Sequence, residues 1–425
     1  MSIICGTDLS AASAAALDVA LALARLHGDR EVVLAHIVDP ELGGPAARER
    51  AIEAARPQLD EQAGRARPGD PAVRIELVVG APDQALVDLA EAEGGELIVI
   101  AARSTSTSLL RLGTTTAQVI ARTSVPVLAV RDPAPWLEFA SGARPLRVLL
   151  GIDDSAVCDL GIQWTHALAA RGPTEIVLGA IYYPDDAAAH YGVDLRGMVD
   201  SDPEIERLMA RDLVRRFGAA GAGTKVTARP RRGLGRIGDH VLELARDEQV
   251  DVIVVGTGQK TGLGRLGSVS SIVVNDAPQS VVCVPPQAHV PTRSVPQLRS
   301  ALVATDLSPF SNRAVPYAFG MVAGAPDAEV HIVHVVKEDD SIAEADVLGQ
   351  LQSLAPQGAQ PRVQAHVVRG DDAAIALAQC AARLGVDVIC IASHGRSGIT
   401  RALVGSVADR LLRATRRPVL VLRPA

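Results

Sequence analysis

Short runs of β-branched and aliphatic residues alternate along this chain with Ala/Leu-rich segments of helical period. The runs Ile3 to Gly6, Glu31 to Val38, Val73 to Val79, Glu96 to Ala101 and Val125 to Val130 read as strands. Their nearly continuous apolar character fits parallel strands covered by helices on both faces. Between the first two, Leu17, Leu21 and Ala24 share one face of a helix over Leu17 to Leu26, with Gly28 placed as its stop.

The same pattern returns twice. Ile3-Ile4-Cys5-Gly6 leads into Thr7-Asp8-Leu9-Ser10, and Ala301-Leu302-Val303-Ala304 leads into an identical Thr305-Asp306-Leu307-Ser308. Val148 to Ile152 leads into Asp153-Asp154-Ser155 between them. Asp8, Asp153 and Asp306 stand 145 and 153 residues apart, a period of domain size rather than solenoid size. In the third repeat the strands are expected at Ala301 to Ala304, Glu329 to Val336, Val363 to Val368, Asp387 to Ala392 and Val419 to Leu422. A helix over Ala373 to Leu384, with Leu377, Cys380 and Leu384 on one face, ends at Gly385.

These elements predict three domains, 1–132, 146–286 and 298–425. Each is expected to be α/β, a doubly wound, Rossmann-like parallel sheet of five strands in the order 3-2-1-4-5. Asp132 to Pro145, with three prolines, and Pro285 to Pro296, with four, are expected to be extended connectors.

Bulk composition narrows the function. The 425 residues are 48% apolar and 21% charged, which suits packed cores rather than disorder. A net charge of −7 disfavours nucleic acid and anionic membrane as partners. The start of the chain lacks the basic and long apolar segments of a secretory signal, and no apolar run is long enough to span a bilayer, so a cytoplasmic protein is expected. The five cysteines are scattered, without a C-x-x-C pair, and read as core residues.

The residues richest in chemistry follow the fourth strand of the third repeat. Ala392-Ser393-His394-Gly395 is followed by nine residues, then by Gly405-Ser406 opening the helical pattern Val407-Ala408-Asp409-Arg410-Leu411-Leu412. In a sheet of order 3-2-1-4-5, ligands sit beyond the carboxyl ends of strands one and four, where the order reverses. Asp306 ends strand one and this loop follows strand four. A glycine at 395 lets backbone N–H groups approach a phosphate closely, and Gly405-Ser406 presents a helix N-terminus that favours an anion. The same residues admit plainer readings. Ser406 with Asp409 three residues on has the form of a capping box, and Asp306 before Leu307-Ser308-Pro309 has the form of a turn. His394 either touches phosphate or faces solvent without a role. His36 and His334, at matching strand-two ends, read as structural.

With its glycine loop, its nine-residue gap, its Gly405-Ser406 and its final strand Arg417 to Arg423, the chain resembles the universal stress proteins over essentially its full length. The resemblance is nearest in the third repeat. It implies the adenine-nucleotide α-hydrolase-like version of the fold and an ATP site, with or without magnesium, formed by Thr305, Asp306, Val335, Ala392, His394, Gly395, Arg396, Gly405, Ser406 and Val407. Asp306 would accept a hydrogen bond from the adenine amine. Ala392 departs from the family's loop, which has glycine there. The resemblance further implies pairing through last strands, with repeats one and two forming an internal pseudo-dimer and repeat three a homodimer.

Repeats one and two read as degenerate. Repeat one has Ala101-Ala102-Arg103-Ser104 and eight residues before Gly113-Thr114. Repeat two has Gly256-Thr257-Gly258-Gln259 and seven residues before Gly267-Ser268. Repeat two also carries Arg229, Arg231, Arg232 and Arg236 around Gly233-Leu234-Gly235, either an anion site or an exposed basic loop, and an insert over His190 to Asp202 with Tyr191 and Met198. A nucleotide-binding regulatory role, without enzymatic activity, is the leading expectation. A nucleotide-free scaffold and a slow ATPase or phosphotransferase are the alternatives. The chain lacks the G-x-x-x-x-G-K-[ST] loop and the Ser-Gly-Gly of the ATP pyrophosphatases.

Overall fold

A computed structural model describes residues 2–39, 44–102, 114–194, 201–258, 268–288, 298–358, 361–393 and 405–423. The first repeat runs β1 (Ile3–Gly6), α1 (Ala11–His27), β2 (Glu31–Val38), α2 (Pro45–Ala63), β3 (Ala72–Val79), α3 (Pro82–Ala92), β4 (Leu97–Ala101), α4 (Thr114–Arg122) and β5 (Val127–Val130), and α5 (Ala134–Ala140) follows it. The second runs β6 (Leu146–Gly151), α6 (Ala156–Ala169), β7 (Thr174–Tyr182), α7 (Pro184–Tyr191), α8 (Pro203–Phe217), β8 (Thr224–Arg232), α9 (Ile237–Asp247), β9 (Val252–Gly256), α10 (Ser268–Asp276) and β10 (Ser280–Val284). The third runs β11 (Ser300–Ala304), α11 (Ala314–Val322), β12 (Glu329–Val336), α12 (Glu344–Ser353), β13 (Arg362–Arg369), α13 (Ala373–Leu384), β14 (Val388–Ala392), α14 (Ser406–Ala414) and β15 (Val419–Leu422). The glycine stops are where the pattern puts them, with Gly28 and Gly385 in the left-handed region at φ 77° and 69°.

The chain divides into two compact units. The first comprises Met1–Tyr182 and Leu213–Arg293. Its sheet has ten strands in the order β3-β2-β1-β4-β5-β10-β9-β6-β7-β8, so each repeat keeps the order 3-2-1-4-5, and the two halves share one sheet. The junction is antiparallel, with Val281 opposite Ala129, Val282 opposite Leu128 and Cys283 opposite Val127. Every residue of β5 and β10 is buried.

The first connector departs from expectation. Asp132 to Pro145 contains a helix, α5, because proline is tolerated in a helix's first turn, where its missing N–H has no intrahelical acceptor to lose. Asp132 Oδ1 accepts from the N–H of Ala134 at 3.0 Å. Trp136 and Phe139, three residues apart and both buried, anchor the helix. Each such side chain contributes roughly 1.5–3 kcal/mol of burial. The second connector is described only as far as Ala288.

The arginines of repeat two resolve as a paired surface. Its third strand extends to Arg232, so Arg229, Arg231 and Arg232 lie within it rather than in a following loop. Arg229 Nε meets Glu248 Oε1 at 2.5 Å, Arg231 pairs with Asp247, and Arg236 Nε meets Asp239 Oδ2 at 2.9 Å. These carboxylates answer the positive charge of Arg229, Arg231 and Arg236 locally.

The second unit comprises Tyr183–Asp212 and Ser294–Ala425. Its sheet is parallel, in the order β13-β12-β11-β14-β15. Two apolar clusters flank it. One joins Ala301, Val303 and Cys390 to Ala314, Val315 and Ala318 of α11. The other joins Leu302, Ala304, Ile389 and Ile391 to Leu377 and Ala381 of α13 and to Ala408 and Leu411 of α14.

The insert of repeat two belongs to this second unit. Tyr191 and Leu208 bury against Ala382 of α13, and Gln379 Nε2 donates to Ala189 O at 3.1 Å. Arg211 Nη2 donates to Ala382 O at 2.6 Å, and Arg211 Nη1 donates to Arg383 O. Those carbonyls sit in the last turn of α13, where a helix leaves acceptors unused and its dipole favours a cation. Met198 lies outside the described residues. All five cysteines are buried and free, as expected of core residues, and burial raises the thiol of Cys390 to about 12.

Candidate functional site

Strand β11 delivers Thr305 and Asp306 to the crossover of the second unit's sheet. The N–H of Thr305 donates to Val333 O at 3.0 Å, continuing the pairing with β12. Its Oγ1, buried, donates to Asn312 Oδ1 at 2.6 Å and accepts from the N–H of Leu307 at 2.9 Å. His334 Nδ1 lies 2.8 Å from Thr305 O, and since a carbonyl only accepts, the ring's proton is on Nδ1. His334 thus fixes the strand end, the structural role expected of it, and His36 does the same to Thr7 O at 2.9 Å.

Asp306 is exposed, yet its carboxylate is held. Oδ1 accepts from the N–H of Ser308 at 3.0 Å and from Ser311 Oγ at 2.5 Å. Partial burial pushes the carboxyl up, but the hydrogen bonds from Ser308 and Ser311 outweigh it and hold the group at about 2. Leu307 takes φ 66°, and Leu9 in repeat one takes φ 65°. A non-glycine residue in that region costs roughly 1–2 kcal/mol. Thr305 Oγ1 and the packing of Leu307 beside α11 offset that cost. The loop is therefore a built conformation rather than a generic turn.

Strand β14 brings up the other side. Ala304 lies opposite Ile391 in register, so Thr305 follows on one strand where Ala392 follows on the other. The two residues at the end of β14 diverge. Ala392 packs with the apolar cluster beneath α11, and the next residue, Ser393, is buried and turns to α14. Ser393 Oγ accepts the N–H of Gly405 at 2.7 Å, and Ser393 N–H donates to Leu422 O at 2.8 Å. The methyl group that distinguishes Ala392 from glycine thus belongs to the core beneath α11 and lies away from the start of α14.

Helix α14 has Gly405 at its N-cap, with no side-chain cap, and Ser406 as its first residue. The capping-box reading of Ser406 with Asp409 does not hold, because Ser406 lies one place inside the helix. Asp409 instead pairs with Arg413 at 3.2 Å. Ser406 and Val407 are exposed, and Val335, half-buried in β12, packs against the cluster containing Ala304, Ile391 and Ala408. The register puts Thr305, Asp306 and Ala392 at or just past neighbouring strand ends, the Ala392 methyl turned toward α11, and Gly405, Ser406 and Val407 at the start of the helix that follows, with Val335 one strand away. His394, Gly395 and Arg396 lie outside the described residues.

Ser311 and Asn312, which hold the Thr305–Asp306 loop, and Ser393, which holds Gly405, are members of the candidate site that motif reading did not single out. Ser311 left a signal, since T-D-L-S-x-x-S recurs at Thr7 to Ser13 and Thr305 to Ser311. A separate cleft of about 230 Å³ opens on the α11 face, lined by Phe310, Arg313, Tyr317, Ala392, Leu422 and Arg423. Ligand pockets usually span about 300–1,000 Å³, so this cleft alone is too small for a nucleoside triphosphate.

The loops after the first strands of repeats one and two have other partners. In repeat one, the buried side chain of Gln62 accepts from Thr7 Oγ1 at 2.8 Å. In repeat two, Arg216 donates to Asp153 O and, at 3.0 Å, to Ser155 O. A Cβ on Gly256 would stand 2.7 Å from Val157 Cγ1, so this glycine makes room for α6 rather than for a ligand.

The sequence model of the universal stress protein family matches residues 1–131, 146–285 and 298–423. The chain belongs to that family. A universal stress protein of Mycobacterium tuberculosis is 30% identical over 293 residues, covering 65% of this chain and 96% of the relative. A universal stress protein of Mycolicibacterium smegmatis is 24% identical over 304 residues, covering 67% of this chain and 100% of the relative. The crystal structure of a universal stress protein from Archaeoglobus fulgidus shares the fold, with a TM-score of 0.50 at 18% identity over 67% of this chain and 98% of its own. Each match spans about two of this chain's three family segments. Among the described residues no helix is long and apolar enough to cross a membrane.

Proposed function

We propose that this universal stress protein is a cytoplasmic nucleotide-binding regulator of the stress response, not an enzyme, and that its third repeat holds ATP, with or without magnesium. The observation that carries this reading is the pairing, at one sheet crossover, of a fixed carboxylate with an uncapped helix start. Asp306 stays ionised and offers an acceptor to an adenine amine. The first N–H groups of α14, without a side-chain cap, suit a phosphate. His394, Gly395 and Arg396 enter the reading from the sequence alone, since a glycine in such a loop suits a phosphate, while Val407 follows Ser406 on the helix and Val335 would lend apolar contact to the base.

Pairing with a second copy through the third repeat is part of the reading. What supports it is the first unit, where β5 and β10 join antiparallel and become wholly buried. Their counterpart β15 is an edge strand whose residues are all half-buried.

The test is titration calorimetry with ATP, with and without magnesium, on the full chain and on Gly395→Val. Saturable binding by the natural chain, lost in a variant with unchanged circular dichroism, is the expected result. Absence of heat with the natural chain, or equal binding by both, contradicts it.

A further inference from the structure

The junction inside the first unit is fastened beyond its strand ends by one arginine. Arg131 follows β5, and its N–H donates to Ser280 Oγ at 3.1 Å. Its guanidinium reaches the last turn of α10 in the other repeat, where Nη2 donates to Val274 O at 2.9 Å and to Asn275 O at 3.2 Å. Helix-end carbonyls lack intrahelical donors, and a cation there complements the helix dipole. The contact therefore ties one repeat's helix to the other repeat's strand.

The third repeat carries the same ending. Pro126-Val127-Leu128-Ala129-Val130-Arg131 matches Pro418-Val419-Leu420-Val421-Leu422-Arg423. The registers agree, since Ala101 pairs with Val130 and Ala392 pairs with Leu422. Arg423 thus leaves its sheet where Arg131 leaves its own. Its circumstances differ, because among the described residues β15 has no neighbour on its outer side and Arg423 is exposed. Its guanidinium makes no hydrogen bond or ion pair among the described residues. Nearby arginines are answered within the unit, Arg410 by Asp372, Arg413 by Asp409 and Arg417 by Asp212.

We propose that Arg423 is the lock of a pairing between two copies of this chain, donating to the carbonyls of the partner's Leu412 and the partner's Arg413, which hold the places of Val274 and Asn275. This rests on the reading of β15 as a pairing edge and adds the residue that fastens it. The internal junction has one such arginine, because Pro285 follows β10 where a second would stand. A twofold pair of third repeats has two.

The experiment is sedimentation equilibrium on the full chain and on Arg423→Ala, Arg423→Lys and Arg423→Glu, with hydrogen exchange at the end of α14 as a second readout. The natural chain is expected to give a dimer. Arg423→Ala removes charge-assisted hydrogen bonds from both ends of the pair and is expected to raise the dissociation constant at least about tenfold. Arg423→Glu should raise it further and Arg423→Lys less, with exchange at the end of α14 rising in step. A natural chain that stays monomeric at every concentration overturns the pairing itself and the lock with it. A dimer of unchanged affinity in Arg423→Ala and Arg423→Glu overturns the lock while leaving the pairing intact.

Discussion

Arg417 Nη2 lies 2.9 Å from Asp212 Oδ2, a carboxylate 205 residues earlier in the chain. Asp212 also accepts from Tyr191 Oη at 3.1 Å and from Arg211 Nε at 3.1 Å. One carboxylate therefore organises three donors, Tyr191 from the insert of repeat two, Arg211 from α8 and Arg417 from the approach to β15. Arg211, so oriented, reaches the carbonyls at the end of α13, the helix that packs with α14. The insert is part of the third repeat's unit in packing, although repeat two encodes it.

Asp212→Ala leaves three partly buried donors without their common acceptor. The expected cost to the second unit is roughly 1–3 kcal/mol. Hydrogen exchange should rise in α7 and at the end of α13 while the strands of the first unit keep their protection. Unchanged exchange at α13 contradicts the assigned role of the insert.

Gly385→Ala should cost more than Gly28→Ala. Both glycines have positive φ, at 69° and 77°, so each substitution carries roughly 1 kcal/mol of backbone strain. A Cβ at Gly28 meets nothing within 4 Å, whereas one at Gly385 stands 2.6 Å from Arg211 Cζ. Displacing that guanidinium adds the loss of its hydrogen bonds to Ala382 and Arg383. Hydrogen exchange of α1 and α13 in the two variants measures the difference, and equal losses contradict it.

The loop after β11 was legible in the chain because its chemistry is local. T-D-L-S recurs in repeats one and three, and both copies adopt the same turn, with leucine in the left-handed region. The strand runs and the stops at Gly28 and Gly385 were legible for the same reason. Helix α5 was hidden by its prolines, which read as breaks, and only tertiary burial of Trp136 and Phe139 shows why the segment is helical. Likewise, the place of α8 on α13 depends on Arg211 meeting carbonyls more than 170 residues away, which no local period encodes. Ser393 was passed over because its work is done by an Oγ bonded to a backbone N–H twelve residues later.

Ser393→Ala removes the acceptor for the Gly405 N–H and frees the start of α14 from the end of β14. The expected loss of stability is about 1 kcal/mol. If α14 supplies phosphate contacts, ATP affinity should fall by about tenfold, because the helix start is no longer held in place. Calorimetry on the variant decides this, and an unchanged affinity contradicts the use of that helix.

Asp306 should titrate well below an ordinary carboxylate. Its hydrogen bonds are made to the charged form, so its folded pKa of about 2 lies under the ordinary 3.8. The stability it contributes is fully present above about pH 4 and lost as pH falls through about 2. Solvent exposure keeps that contribution small. A carboxyl NMR titration should place the midpoint near 2, and loss of the Ser311 donor in Ser311→Ala should move it upward. A midpoint near 3.8 in the natural chain contradicts the held geometry.

The measurement that bears most directly on nucleotide binding is photolabelling of the full chain with an azido-adenine analogue of ATP, followed by peptide mapping. The account predicts one labelled region within 298–425, near Asp306 or Val335, protected by excess ATP. Label confined to repeats one or two, or label that excess ATP does not displace, contradicts it.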